Sequence, residues 1–472
     1  MHKALFSQIT YVAFLIFFAY FLLLIVFYLF LAFFGILENK KRAYEEKIES
    51  YPLIYFSNLA IPVSIILPAR NEEEWIKDSL LSLINLNYPS FEIIVVDDGS
   101  TDETPQILNE MLKLRHIDSI HSKHYPSLKI KEVLKSEKYP NVTVLRKESG
   151  DKKAGAVNAG LNLAQYRFVC VLDADTVLER DAFLKVMAHV HRDPDHIIGI
   201  ASSFGLVNGF SIKDGIIVKR NFSYDPLIAY QNLEYIRSFI GNRIAWSRFN
   251  AMPNVAGGFG IWRNDILYEL GGYSSDFSCE DVELTFRAHD YISNNKDKNY
   301  KILMVPYYIG WTEGPSTLPS LILQRDRWQR VMIEVAAKYK YMFCNPKYGS
   351  FAFLVLPYFI IYEVFGVFFE VTSIVFVLFG WLSGLLDLRV FFLYLILMGL
   401  SQFVISLICL FTFIRGQKVF SLRYLLYLIL LDSIEFFSYR IIISIAKLRG
   451  TYHYARHVKI YDQYVRKKRK PT

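Results

Sequence analysis

Apolar residues run without a single charge from Tyr11 to Ile36, give way to a long mixed region, and return between Phe351 and Ala446. The first run is long enough to cross a bilayer. It is too long for a signal peptide and lacks a small-residue cleavage site, so it predicts a retained anchor. The last region breaks near residues 386–389 and 415–418 into three blocks, 351–386, 390–414 and 420–446. The first block holds Pro357, Glu363 and Glu370 and reads as an interfacial helix plus a span. The third carries Asp432, Glu435 and Arg440. Ionisable groups at membrane depth are costly and often functional, and these equally fit a position at the interface.

Between the apolar ends, short β-branched runs alternate with helix-like stretches, the pattern of a mostly parallel sheet with crossover helices. Residues 63–67 predict the first buried strand, ending at Pro68 to Glu72 with a helix from about Glu73. Residues 91–96 predict the second and deliver Asp97 and Asp98 at its end. Residues 142–145 and 168–172 predict two more, and the latter delivers Asp173 and Asp175. In open α/β sheets, ligands bind at the carboxyl ends of the strands.

Composition narrows the class. The 472 residues hold a catalytic domain and several spans, and 53% hydrophobic content with mean hydropathy +0.23 excludes a wholly soluble enzyme. Cys170, Cys279, Cys344 and Cys409 show no metal-ligand spacing and read as reduced packing thiols on a cytosolic face. The +8 charge does not point to nucleic acid. Lys40, Lys41 and Arg42 follow the first apolar run, and Arg466 to Lys470 end the chain. Basic residues beside spans mark the cytoplasmic side and attract anionic lipid, and no aromatic-interleaved basic stripe is present. If both groups are cytosolic, the C-terminal region crosses an even number of times. Three blocks satisfy this only if one does not cross or one crosses twice.

The expected division is an anchor with its basic segment at 1–45 and a cytosolic catalytic domain at 46–320. An interfacial segment at 321–350, a transmembrane region at 351–446 and a basic cytosolic tail at 447–472 complete it.

Five groups carry candidate chemistry. Asp97 and Asp98 at a strand end suit a base N–H or ribose hydroxyls; Gly99 to Asp102 supply a turn and a helix cap, and capping alone explains the pair equally well. Asp173 and Asp175, two residues apart past a buried run, suit a hard divalent cation shared with phosphate oxygens. Lys153, ahead of small residues and a helix containing Asn158, reaches a phosphate or is simply solvated. Glu280 and Asp281 open a helical stretch, where a carboxylate takes a proton from an acceptor or merely complements the helix dipole. Arg327 suits a diphosphate, and Trp328 suits a sugar ring or a membrane interface.

Taken together, these motifs resemble the family 2 membrane glycosyltransferases, the group that includes cellulose, chitin, hyaluronan and poly-N-acetylglucosamine synthases. The similarity runs from Pro68-x-x-Asn71-Glu72 through Asp97 to Ser100, Lys153 to Ala156 and Asp173-x-Asp175. It continues through Gly257-Gly258, Glu280-Asp281, Thr312 to Pro315, Gln324-x-x-Arg327-Trp328, then Tyr439-Arg440, Gly450 and Tyr452. The resemblance implies an α/β GT-A (nucleotide-diphospho-sugar transferase) domain with N-terminal and C-terminal transmembrane helices, at the plasma membrane. It implies a nucleotide-sugar donor, usually UDP-linked, with Mg²⁺ or Mn²⁺. Asp97 and Asp98 would then hold the uridine part, Asp173 the nucleotide sugar and Asp175 the metal. Asp281 would be the general base of an inverting transfer, and Glu280, Gln324, Arg327 and Trp328 would line the acceptor and diphosphate site. The acceptor implied is a growing polysaccharide, with transfer of a single sugar to a lipid or lipid-linked acceptor as the alternative. A membrane scaffold without activity is the third reading, and it predicts eroded acidic motifs, whereas all are intact. Gln329-Arg330 after Trp328, the long basic stretch near 111–140 and Cys279 before Glu280 depart from the pattern and bear on substrate and processivity.

Overall fold

The computed structural model describes residues 2–56, 60–384, 387–416 and 419–458; the basic group Arg466 to Lys470 lies outside them. Among the described residues there are twelve strands: β1 Val63–Ala69, β2 Phe91–Asp97, β3 Leu114–His116, β4 Ile130–Ser136, β5 Val142–Lys147 and β6 Phe168–Leu172. Then follow β7 Thr176–Leu178, β8 Ile197–Leu206, β9 Ser211–Lys213, β10 Ile216–Lys219, β11 Phe259–Arg263 and β12 Lys301–Thr312. Ten form one sheet, in the order β3-β4-β5-β2-β1-β6-β11-β8-β12-β7, and β9 and β10 pair separately.

The strands expected from the apolar runs all form. β1 is buried along its whole length, because it lies inside the sheet with helices on both faces. Successive side chains point to opposite faces. Ile65 and Leu67 therefore pack with Ile76, Leu80 and Leu83 of the Ile76–Ile84 helix, while Ile66 faces Ala156 and Val157 of the Lys152–Leu161 helix. Each such fully buried aliphatic side chain contributes about 1.5–3 kcal/mol. The second helix comes close because Gly160 has no side chain; a Cβ there would lie 2.6 Å from Ile66 Cγ2.

The sheet is more mixed than its strand runs suggest. β5-β2-β1-β6 and β8-β12 are parallel, but β11 runs antiparallel to both of its neighbours. The stretch after Met111 adds β3 and β4 antiparallel at one edge. Three local boundaries also differ. The helix after β1 starts at Ile76 rather than near Glu73, because Asn71 adopts a positive φ of 56° and accepts from Thr101 N at 2.8 Å. Asp102 does not cap the Thr104–Leu112 helix from the N-cap position, which is Glu103; its carboxylate accepts from Glu73 N at 3.1 Å and Thr104 N at 3.0 Å. Lys152 to Ala156 form the first turns of their helix instead of preceding it.

Within the His2–Ile48 helix, Tyr11–Ile48 is long and apolar enough to cross a membrane. Phe351–Val364 and Gly366–Leu382, bent by 45°, pass the same test as one broken span. Between sheet and apolar helices sits the segment 226–248: a helix Pro226–Ile236, a π-helical stretch Arg237–Arg243 and a helix Ile244–Arg248. A Cβ on Gly35 would lie 3.2 Å from Gly241 O, and one on Gly241 would lie 2.5 Å from Cys409 Sγ. Arg237 pairs with Glu435 at 2.6 Å and Asp432 at 3.2 Å. Glu370 pairs with Arg440, and Glu363 with Lys447 at 3.3 Å. The acids of the C-terminal blocks are therefore matched by bases inside the protein, the arrangement that makes charge tolerable in an apolar setting.

Candidate active site

The acidic motifs form two neighbouring groups at the carboxyl ends of the strands. Asp97 ends β2 opposite Ala69, and with β1 between β2 and β6 it stands two strand spacings, about 10 Å, from the end of β6. Asp97 Oδ1 accepts from Ser100 N at 2.9 Å, so this carboxylate does fold the turn behind it. Asp98 Oδ1 accepts from Lys147 Nζ at 2.7 Å, and the same ammonium bonds Asp151 Oδ1 at 2.5 Å. Both Asp98 and Lys147 are buried. Burial pushes the Asp98 carboxyl up, opposed by Lys147. Sequence reasoning missed Lys147 and Asp151, whose spacing reads as an ordinary solvated pair.

The second group joins residues far apart in sequence. Lys153 Nζ donates to Asp173 Oδ1 and sits 3.2 Å from Glu280 Oε1. Burial works against its charge, but Asp173 and Glu280 outweigh it and hold it protonated well above the usual lysine range. Asp173 is pushed up to about 6 by burial and by the negative Asp175, against the pull of Lys153. Burial acts to raise Glu280, but Lys153, with Arg327 also contributing, outweighs it and holds the carboxyl below its usual range.

Asp281, in the first turn of the Glu280–Asn294 helix, is fixed by two backbone donors. Oδ2 accepts from Gly257 N at 2.8 Å and Oδ1 from Val282 N at 2.9 Å. Burial and the adjacent Glu280 charge raise its carboxyl, which makes it a stronger base than a solvated aspartate. Gly257 leaves the necessary room: a Cβ there would lie 2.9 Å from Lys153 Nζ and 3.5 Å from Asp281 Oδ2.

Asp175 Oδ1 accepts from Thr312 Oγ1 at 3.1 Å, which ties the acidic pair to the end of β12. Beyond it, Glu313 Oε2 accepts from Trp75 Nε1 at 2.9 Å. Among the described residues, no cluster of three or more His, Cys, Asp or Glu side chains could by itself cage a metal. The donors suit a hard divalent cation nonetheless. One or two carboxylates completed by substrate phosphates are enough for such an ion, and Asp175 lies close enough to Asp173 to raise its carboxyl.

The remaining motif lies mid-helix in Leu318–Lys338. This helix is clamped to the Asp281 helix and the turn before it. Glu334 accepts from Ser278 N at 2.8 Å and Ser278 Oγ at 2.7 Å, and Tyr339 OH donates to Glu283 at 2.6 Å. Arg327 thereby comes within electrostatic reach of Glu280 and Cys279. Gln324 Oε1 accepts from Arg325 at 2.6 Å, and the Arg325 guanidinium lies 4.0 Å over the Trp328 ring while bonding Glu234 at 2.6 Å. Arg325 thus orients both motif residues, which the motif pattern does not reveal.

Arg243 was also missed. It ends the π-helical stretch with Nη1 buried and bonded to nothing among the described residues, its guanidinium 4.6 Å over Phe239 and near enough to Asp281 to be influenced by it. Burial lowers it to about 10, so it remains charged at neutral pH. Its sequence signal was weak, because it is one of three arginines, with Arg237 and Arg248, in the stretch 226–248.

Residues 168–434 match the model of glycosyl transferase family group 2, and residues 64–252 that of glycosyl transferase family 2. The chain belongs to the family 2 glycosyltransferases. This family 2 enzyme is 28% identical over 270 residues to a poly-beta-1,6-N-acetyl-D-glucosamine synthase of Staphylococcus epidermidis, covering 56% of this chain and 53% of that one. It is 28% identical over 305 residues to the probable glycosyltransferase YdaM of Bacillus subtilis, covering 64% and 63%. The chain spans about half the length of the synthase relatives it matches. A solved mannosyltransferase, PcManGT from Pyrobaculum calidifontis in complex with GDP-Man and Mn²⁺, aligns over 92% of this chain and 100% of its own at 16% identity and TM-score 0.49. The α/β glycosyltransferase domain expected from the sequence is present.

Proposed function

We propose that this glycosyltransferase transfers a sugar from a UDP-sugar to a growing, β-linked polysaccharide with inversion at the anomeric carbon. The single observation that carries this is Asp281, a carboxylate held by two backbone N–H groups and made more basic by burial and Glu280, next to Lys153 and within reach of Arg327. As the acceptor oxygen attacks the anomeric carbon, Asp281 takes its proton, and the bond from that carbon to the diphosphate breaks. Lys153 and Arg327 bind the leaving diphosphate, and Lys153 exchanges its present partners Asp173 and Glu280 for phosphate. Asp97 and Asp98 hold the nucleoside, Asp173 the donor sugar, and Glu280, Gln324 and Trp328 the acceptor side. Mg²⁺ or Mn²⁺, held by Asp175, would supply charge neutralisation on the diphosphate.

The polysaccharide acceptor is supported by the match to a poly-N-acetylglucosamine synthase, which also makes UDP-N-acetylglucosamine the first donor to try. Transfer of one sugar to a lipid-linked acceptor is the second reading. It is favoured by the 226–248 segment, which carries Arg243 from among the apolar helices to the site. In both readings the protein is a multi-pass protein of the plasma membrane with its catalytic domain, residues 46–320, in the cytosol.

Membranes containing the protein, given acceptor, labelled UDP-sugars and Mn²⁺ or Mg²⁺, are expected to release UDP. No release with any donor overturns the proposal. Sizing the product separates polymer from single transfer.

A further inference from the structure

A cavity of about 850 Å³ opens at the other end of the strands that carry the site. Ile197 and Lys301, the first residues of β8 and β12, line it, whereas these strands end side by side at Leu206 and Thr312, next to Asp175. Across the 12 residues of β12 the two places are roughly 30 Å apart. The catalytic cleft therefore contributes nothing to this cavity.

Seven lining side chains are lysine or arginine and three are carboxylates. The carboxylates are already engaged. Glu38 holds Arg42 at 2.9 Å and Arg248 at 3.2 Å; Glu45 holds Arg42 at 3.1 Å and Arg192 at 3.4 Å; Asp193 holds Lys301 at 3.2 Å. Among the described residues, Lys296 and Lys347 have no carboxylate within 4.0 Å. Arg42 is 8% exposed, and its Nε is buried without a hydrogen-bond partner. His189 reports the same surplus: burial, then Arg42 and Arg192, drive its proton off and lower it to about 3.

We infer that this cavity binds a phosphate-bearing anion, with the phosphate drawn to Lys296, Lys347 and Arg42. Even with Arg192 also paired to Glu49 from outside the lining, the cations outnumber the carboxylates by three, which calls for a multiply charged group, and the volume is that of a small-molecule site. Two sources reach it. The lining includes residues 38–45, just beyond the first apolar run, and residues 347–350, just before the next, so a lipid headgroup is near; solvent brings soluble phosphates.

The test uses the full chain carrying Lys153→Ala, which weakens anion binding in the cleft, with and without the exposed pair Lys296→Glu and Lys347→Glu. Binding of inorganic phosphate and pyrophosphate is measured in detergent by calorimetry. Lipid retention is measured by native mass spectrometry from nanodiscs of phosphatidylcholine alone or with phosphatidylglycerol. A loss of about tenfold in phosphate or pyrophosphate affinity on adding the charge reversals identifies a soluble ligand. Loss of retained phosphatidylglycerol on adding them identifies a lipid headgroup. Identical behaviour with both probes, at unchanged thermal stability, overturns the inference.

Discussion

The backbone N–H of Gly257 donates to Asp281 Oδ2 at 2.8 Å, and this bond sets the aim of the proposed base. Since Val282 N occupies Oδ1, both oxygens have a donor. In Asp281→Asn one N–H must face an amide NH₂ group, which cannot accept. Transfer is expected to fall by about 10²–10⁴-fold, the usual worth of a general base, while nucleotide binding by titration stays within a few-fold of wild type. Activity near the wild-type level would remove Asp281 from the role.

The pH dependence follows from the raised Asp281 carboxyl. The base acts deprotonated, so activity is present above its pKa and is lost as pH falls through it, at a higher pH than for a solvated aspartate. Glu280 is one of the charges that raise it, so Glu280→Gln should move the acid limb of kcat/KM to lower pH. Stability has the opposite sign: a carboxyl raised on folding favours the native state at low pH, and that contribution fades as pH rises past the unfolded value. A profile unmoved by Glu280→Gln would contradict the coupling.

Gly257→Ala introduces a Cβ 2.9 Å from Lys153 Nζ, the mobile end of a long chain. The protein should fold with near-normal thermal stability. Displacing the lysine from Asp173 and Glu280 by about an ångström should nevertheless cost up to about 10²-fold in kcat/KM.

Gly450→Ala tests the support of the Trp328 helix. A Cβ there would lie 2.6 Å from Asp326 O, and backbone cannot step aside. Forcing apart the Leu318–Lys338 and Tyr439–Ala455 helices should cost about 1–3 kcal/mol, read as a lower unfolding midpoint, together with reduced transfer.

Metal removal supplies a further measurement. Chelation should abolish transfer and added Mn²⁺ restore it, whereas Asp175→Asn should raise the Mn²⁺ concentration needed for half-maximal activity by about tenfold or more. An unchanged Mn²⁺ requirement in that variant would place the ion elsewhere.

Local pattern was sufficient where one stretch of chain holds the whole signal. Residues 63–67, 91–96, 142–145 and 168–172 all formed strands, because β-branched runs between turns have few alternatives once both faces are covered. The same runs placed Asp97, Asp98, Asp173 and Asp175 at strand ends, and the helical stretch opened by acidic residues placed Asp281 at a helix start. Local pattern failed where the partner is distant. The antiparallel direction of β11, Lys147 beneath Asp98, Arg325 over Trp328 and Arg243 near Asp281 leave no periodicity to read.

The chemical groups of this protein, their order along the chain and its apolar ends were thus determined by the sequence alone, since burial imprints a spacing on each element. Tertiary structure alone decided that Lys153 bridges Asp173 and Glu280, and that Arg237 answers Glu435 from a segment whose composition belongs to the soluble domain. The physical reason is that a buried charge fixes the need for a counter-charge, while only the packed fold decides which distant residue supplies it.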